Sequence, residues 1–210
     1  MPNYAFISEK VARTAKVKNI IYNKVVKRTE AAQEQLLTNF DNHEITKEIE
    51  AGPEASNSSN TLHGLSSHGG NLFSFIGFYA GDDPTEPIRD ILETEIEVVR
   101  TPETIVYKSS DTIKYKFFIK YPELADFDEV AKYPDEWRDG SWLYGIEHGI
   151  FGLSYYIYDE EFEVYEQSRS TTALEAKKAG NLIVVRGNSQ SKPAKYISAL
   201  LRQFERDLKR

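Results

Sequence analysis

Thr112-Ile-Lys-Tyr-Lys-Phe-Phe-Ile-Lys120 sets Ile113, Tyr115, Phe117 and Ile119 on one side of an extended chain and Lys114, Lys116 and Lys120 on the other. Successive side chains of a strand point to opposite faces, so this period of two predicts a strand with one buried and one wet face. It pairs naturally with Glu103 to Lys108 across the turn Ser109-Ser-Asp111. A sheet wet on one face belongs to antiparallel architecture.

Upstream, Ser8 to about Phe40 contains neither Gly nor Pro, and Val17, Ile21, Val25, Ala32, Leu36 and Phe40 recur at helical spacing. A long N-terminal helix (about 8–41), broken once at most, is expected. Glu44 to Ala51 reads as a short helical turn closed by Gly52 and Pro53. Residues 52–70 are rich in Gly, Ser, Asn, Pro and His and are expected to form a flexible loop. Asn71-Leu-Phe-Ser-Phe-Ile-Gly-Phe-Tyr79, aromatic and apolar, suits a mostly buried strand. In Asp82 to Glu93, an Asp before a Pro and acids in the first turn favour a short helix.

Downstream, Pro122 to Asp139 is an acidic connection. Ser141 to Gly149 forms a short helix with Trp142, Ile146 and Ile150 on one face. Leu153 to Tyr158 and Glu161 to Glu166 suggest a second hairpin, and Asn181 to Arg186 a short strand. After Pro193 a last amphipathic helix spaces Ile197, Leu200, Leu201, Phe204 and Leu208 by threes and fours. Strands follow strands without regular helical crossovers. The expected class is therefore α+β, a single domain over residues 1–210: a long N-terminal helix, an antiparallel β-sheet with hairpins, short helices and a C-terminal amphipathic helix.

The 210 residues are 40% apolar and include 11 Phe and 13 Tyr, enough for one core. No cysteine is present, which excludes disulfides, thiolate metal sites and cysteine nucleophiles. No apolar run approaches the roughly 18 residues of a membrane span, and Met1 to Lys10 lacks the zones of a signal peptide, so folding in a cytoplasm with no membrane partner is expected. The net charge of −7 is unevenly spread. Residues 1–28 hold seven Lys or Arg against Glu9, and residues 169–210 hold ten against three acids. Residues 123–166 hold thirteen acids against Lys132 and Arg138. Basic ends and an acidic middle suit a head-to-tail contact between subunits, or simply solvated faces.

Candidate chemistry is thin. His63-Gly-Leu-Ser-Ser-His-Gly-Gly70 gathers serines and histidines, but His68 stands where a nucleophile elbow needs its second Gly, so a linker is the better reading. His63 and His68, with His43 or His148, match no helical metal-ligand spacing. His148 beside Glu147 has the elements of a base and its orienter, yet a His there more often caps a helix end. Asp159-Glu-Glu161 and Glu163 lack the pattern of a calcium loop. Gly145, Gly149 and Gly152 are followed by no Lys-Ser or Lys-Thr and so form no phosphate loop. Ser168-Arg-Ser170 and the basic last helix are open to phosphate, or to an acidic neighbour.

Five blocks together carry a resemblance: His43-Glu-Ile-Thr-Lys-Glu-Ile-Glu-Ala-Gly52, Gly69-Gly-Asn-Leu-Phe-Ser-Phe-Ile-Gly-Phe78, the Trp142 stretch running on through Gly149-Ile-Phe-Gly152, Ser168-Arg-Ser170, and Tyr196-Ile-Ser-Ala-Leu-Leu-Arg-Gln-Phe204. They resemble virion neck proteins of tailed bacteriophages, and more narrowly the tail-completion or minor tail proteins where tail joins head. Ser168-Arg-Ser-Thr-Thr-Ala173 departs from the Gly-rich form of relatives. The resemblance implies a structural virion protein of the head-tail junction, not an enzyme, assembled in the bacterial host cytoplasm. It implies no cofactor. Its partners would be its own copies in a homo-oligomeric ring and other neck and tail proteins (connector or adaptor, tail terminator or tube), with DNA passing the lumen without specific binding.

On this reading the expected interface residues are Lys16, Lys18, Lys24, Lys27, His63, His68, Leu72, Phe73, Phe75, Trp142, Arg169, Arg202 and Arg206. The alternatives are a tail terminator or another minor tail or virion protein, a nucleic-acid-binding module using residues 10–28 and 192–210, and a cell-wall hydrolase accessory using Glu147 with an acid near Asp159.

Overall fold

Thr14 starts the longest element: its side chain accepts from the Val17 N–H at 3.5 Å and caps helix α1, Ala15–Asp41. The computed structural model describes residues 11–62, 71–99, 107–109, 112–134, 139–149, 163–164, 174–175 and 193–209. Residues 11–12 are also helical, so within the described chain the long helix is interrupted once, at Arg13 and Thr14. Thr29, Ala32, Leu36 and Phe40 are its buried residues, all in its second half.

Helix α2, Glu44–Glu50, follows at once, capped by His43, and a 3-10 turn spans Gly52–Glu54. Asn71-Leu-Phe-Ser-Phe-Ile-Gly is not the expected strand. It forms helix α3, Leu72–Ile76, because both ends are capped: Asn71 Oδ1 accepts from the Ser74 N–H at 2.9 Å, and Gly77 adopts φ +95. A left-handed residue after a helix is the usual station of Gly, whose missing Cβ removes the steric cost. Helix α4, Glu86–Thr94, starts three residues after Asp83, whose carboxylate accepts from the Glu86 N–H at 3.1 Å.

The strands are short. β1 (Glu97–Val99) pairs antiparallel with β4 (Phe118–Lys120), and β2 (Tyr107–Ser109) with β3 (Thr112–Lys114). The hairpin across residues 109–111 is thus as expected, but 112–120 is two strands and not one. The alternation survives the split: Tyr115, Phe117 and Ile119 are half-buried while Lys116, Phe118 and Lys120 are exposed. β5 (Glu163–Val164) pairs antiparallel with β6 (Leu174–Glu175); residues 153–158, its expected partner, and the expected strand 181–186 lie outside the described residues. Among the described residues the expected sheet is therefore three separate two-stranded ribbons beside a larger helical body. Mixed α+β holds.

The acidic connection folds back on itself through a 3-10 turn, Leu124–Phe127, which buries Phe127, and the Trp142 N–H reaches the Ala131 carbonyl at 2.7 Å. Helix α5, Trp142–His148, and helix α6, Ile197–Lys209, complete the body. α6 presents Ile197, Leu200, Leu201 and Phe204 to the core, and α1 packs on α6 and α4. The centre is aromatic. Phe78 meets Trp142 edge-on at 5.6 Å and Phe73 at 5.4 Å, and Phe40 stacks on Tyr196 at 6.0 Å. Each such fully buried side chain contributes roughly 1.5–3 kcal/mol through its removal from water.

Candidate functional site

Among the described residues two carboxylates lie deep in the protein, Glu48 and Glu147, each 1% exposed. A buried carboxylate is costly unless its oxygens accept hydrogen bonds, and in both residues each oxygen accepts at least one. Glu48, on α2, accepts from the Leu72 N–H at 2.7 Å and the Ser59 N–H at 2.8 Å. It thereby fixes the start of α3 and the segment ahead of it. Glu147, on α5, accepts from the N–H groups of Tyr196 and Ser198, both at 2.9 Å, and from the Ser198 hydroxyl at 2.7 Å. These are first-turn donors of α6, so a distant glutamate caps that helix and lies at the positive end of its dipole. Lys195 Nζ stands 3.9 Å away on the solvent side.

Tyr196 links the two groups. Its hydroxyl bonds Thr46 on α2, and its ring lies 4.7 Å from that of His43. His43 Nδ1 accepts from the Ile45 N–H at 3.2 Å, which requires an unprotonated nitrogen. Burial pushes the imidazole below its ordinary value, against the opposing pull of Glu44 and Glu147. Asn71 closes the arrangement, with its amide nitrogen donating to the carbonyls of Pro53 and Ala55 at 2.8 and 2.9 Å.

Within the expected loop 52–70, residues 52–62 make contacts of their own with α2 and α3, and residues 63–70 lie outside the described residues. Asn57 brackets Leu62 through both its N–H and its carbonyl, Glu48 holds Ser59, and Thr61 and Leu62 are buried. His63 and His68 fall outside the described residues, as does Arg169.

The structure separates the other expected interface residues. Leu72, Phe73 and Trp142 are 0–1% exposed and belong to the subunit's own core, so they have no surface to offer a neighbour; Phe75 is half-buried. Their aromatic and apolar character reads the same for a core as for an interface. Lys16, Lys24 and Lys27 are exposed along α1 with Lys18 half-buried, and Arg202 and Arg206 are exposed on α6. His148 caps: its Nδ1 lies 3.0 Å from the Tyr144 carbonyl, and the two rings stack at 3.9 Å.

Between α1 and α6 lies an open cleft of about 490 Å³, lined by Arg28, Ala31, Ala32, Gln35, Asn39, Gln203 and Asp207. Its polar groups largely satisfy one another: Gln203 Nε2 donates to both Asp207 carboxylate oxygens at 2.9–3.0 Å, and Arg28 reaches the Asp207 carbonyl at 3.4 Å. Among the described residues no three His, Asp or Glu side chains converge to hold a metal ion, and no helix is long and apolar enough to cross a membrane.

The buried Glu48 and Glu147 were not expected as structural pins, although each had a faint signal. Both acids sit on the apolar side of a short helix, beside Ile49 and Ile146. Compared with protein-family models, curated proteins and solved structures, the chain has no match.

Proposed function

We propose that this chain is a structural virion protein of the head-tail junction of a tailed bacteriophage, acting in tail completion or head-tail joining through a ring of its own copies. The observation that carries the reading is where the blocks of the resemblance meet. Four of the five lie at least partly within the described residues, far apart in sequence, and converge on one set of contacts: Glu48 to Leu72, Thr46 to Tyr196, Glu147 to Tyr196 and Ser198. A resemblance made of residues that fix one another's positions is the kind a shared fold leaves.

A second support is chemical. Glu147, the carboxylate a hydrolase accessory would use, spends both oxygens on the amides and hydroxyl of α6. That role is architectural. Contacts between subunits then fall to the exposed cations of α1 and α6 and to the acids of residues 82–97 and 123–129.

The test is to look for the protein in purified particles and to measure the mass of the isolated protein by light scattering over a range of concentrations. A few copies per particle, or a discrete ring in solution, supports the reading. A stable monomer absent from particles removes it. A tail terminator would give the same result and is separated by its position in labelled particles. The nucleic-acid module has one observation in its favour, the five cations of residues 15–28 with no acid among them. It requires retention on DNA at low salt that falls steeply as salt rises.

A further inference from the structure

The outward face of α1 has an internal pattern. Lys16, Ile20, Asn23, Lys27, Glu30, Glu34, Leu37 and Asp41 recur at alternating steps of four and three, which is one continuous seam along a helix. All but Leu37 and Asp41 are exposed, and Ile20 is 59% exposed; Leu37 is half-buried, resting one side on the subunit's own core and leaving the other at the surface, and Asp41 is half-buried. The seam is divided by charge. Residues 15–28 hold Lys16, Lys18, Lys24, Lys27 and Arg28 and no acid, while residues 29–41 hold Glu30, Glu34 and Asp41 and no base.

This order opposes the helix dipole, which favours acids at the start and bases at the end; α1 has neither an acid in its first turn nor a base in its last. Nor do the charges neutralise one another among the described residues. Among the described residues Lys16, Lys24, Lys27, Glu30 and Glu34 have no ion-pair partner, and Asp41 alone of the seam is paired, with Arg89 at 3.1 Å. The pattern becomes favourable when the face meets its own reverse.

We propose that α1 pairs antiparallel with α1 of a second copy across a two-fold axis. Laid antiparallel so that facing residue numbers sum to fifty-seven, the seam matches at each step. Lys16 faces Asp41, Ile20 faces Leu37, Asn23 faces Glu34, and Lys27 faces Glu30, each pair occurring twice. The exposed isoleucine gains an apolar partner and each cation an anion or, for Asn23, an amide donor gains a carboxylate. Such a contact is isologous, the same patch on both copies. A phosphate backbone is a poorer occupant, because a strand following the helix would leave the lysines and run into Glu30 and Glu34. One helix face is at the small end of specific interfaces, so the pair is reversible and weakened by salt. The proposal does not rest on the neck reading, which sets the same α1 cations, with those of α6, against a different acidic surface in a head-to-tail contact.

The experiment is sedimentation equilibrium of the full chain and of two charge-reversed variants, Lys24→Glu/Lys27→Glu and Glu30→Lys/Glu34→Lys. All four positions are exposed, and far-ultraviolet circular dichroism checks that the fold is kept. The expected result is a wild type that passes reversibly from one copy to two, two variants that each stay monomeric, and a restored pair when the variants are mixed in equal amounts. Mixing restores opposite charges where positions 27 and 30 face each other, with the reversed positions 24 and 34 flanking them on the opposite copies, which no general loss of stability does. A wild type monomeric at the highest soluble concentration, a dimer indifferent to the reversals, or a mixture that stays monomeric overturns the proposal. A large ring insensitive to both reversals also overturns it while leaving the neck reading in place, with its contacts on the cations of α6 and not of α1.

Discussion

Glu147 shows how much one side chain can hold. Removing its carboxylate leaves the amides of Tyr196 and Ser198 without their acceptor next to a closed core. Glu147→Ala is expected to cost about 2–4 kcal/mol, since each stranded buried donor costs about 1–3 kcal/mol and the site relaxes in part. Glu147→Gln, which keeps one acceptor oxygen, is expected to cost less; urea midpoints of the three proteins give the order. His43 makes a pH-dependent contribution of definite sign. Burial lowers its pKa in the folded chain below the ordinary imidazole value of 6.5, so between the two values the unfolded chain binds more protons and stability rises with pH. The contribution is full above the unfolded value and is lost as pH falls toward the folded one. His43→Asn keeps a capping acceptor that does not titrate. The stability of wild type relative to the variant should therefore fall as pH drops below the ordinary imidazole value of about 6.5 and level off above it, and a difference constant with pH would refute the assignment.

At the scale of elements, α6 is docked by a bond between two neutral hydroxyls, Thr46 and Tyr196, both 0% exposed. Thr46→Val strands the Tyr196 hydroxyl and Tyr196→Phe strands that of Thr46, each at about 1–3 kcal/mol, whereas the double variant leaves nothing unpaired. A double-mutant cycle should therefore show the pair costing less than the sum of the singles, and strict additivity would mean the hydroxyls do not depend on each other. Elements of this kind were legible in unequal measure. α6 and α5 stood out from apolar spacing, and α2 from its Gly-Pro stop, because period and punctuation are local properties. The helix at Leu72 was obscured by its aromatic composition, which suits a strand, although Asn71 and Gly77 bracket it as caps. Five helical residues between two caps are too few for periodicity to speak. The pairing of β1 with β4 was hidden because it joins residues twenty or so apart through three-residue strands. The pins Glu48 and Glu147 were hidden more deeply, since their partners Leu72, Tyr196 and Ser198 are set by tertiary geometry.

For the whole molecule, the charge order of α1 sets stability against association. Lys16 stands in the first turn of α1, where a cation faces the positive end of the dipole. Lys16→Glu should raise the stability of the dilute monomer by about 0.3–1 kcal/mol at low ionic strength, a gain that fades as salt screens it. In the antiparallel pair the same change sets an acid against Asp41 of the second copy at both ends of the contact. One substitution is thus expected to move two quantities in opposite directions: the urea midpoint upward at concentrations where single copies dominate, and the fraction of paired copies downward where they do not. A lysine that served only as a solvated surface group would show the first effect without the second. A lysine bound to a structural partner within the subunit would lower the midpoint. Measuring unfolding and sedimentation on the same variant therefore distinguishes a helix built for its own stability from one whose charges are arranged for a copy of itself.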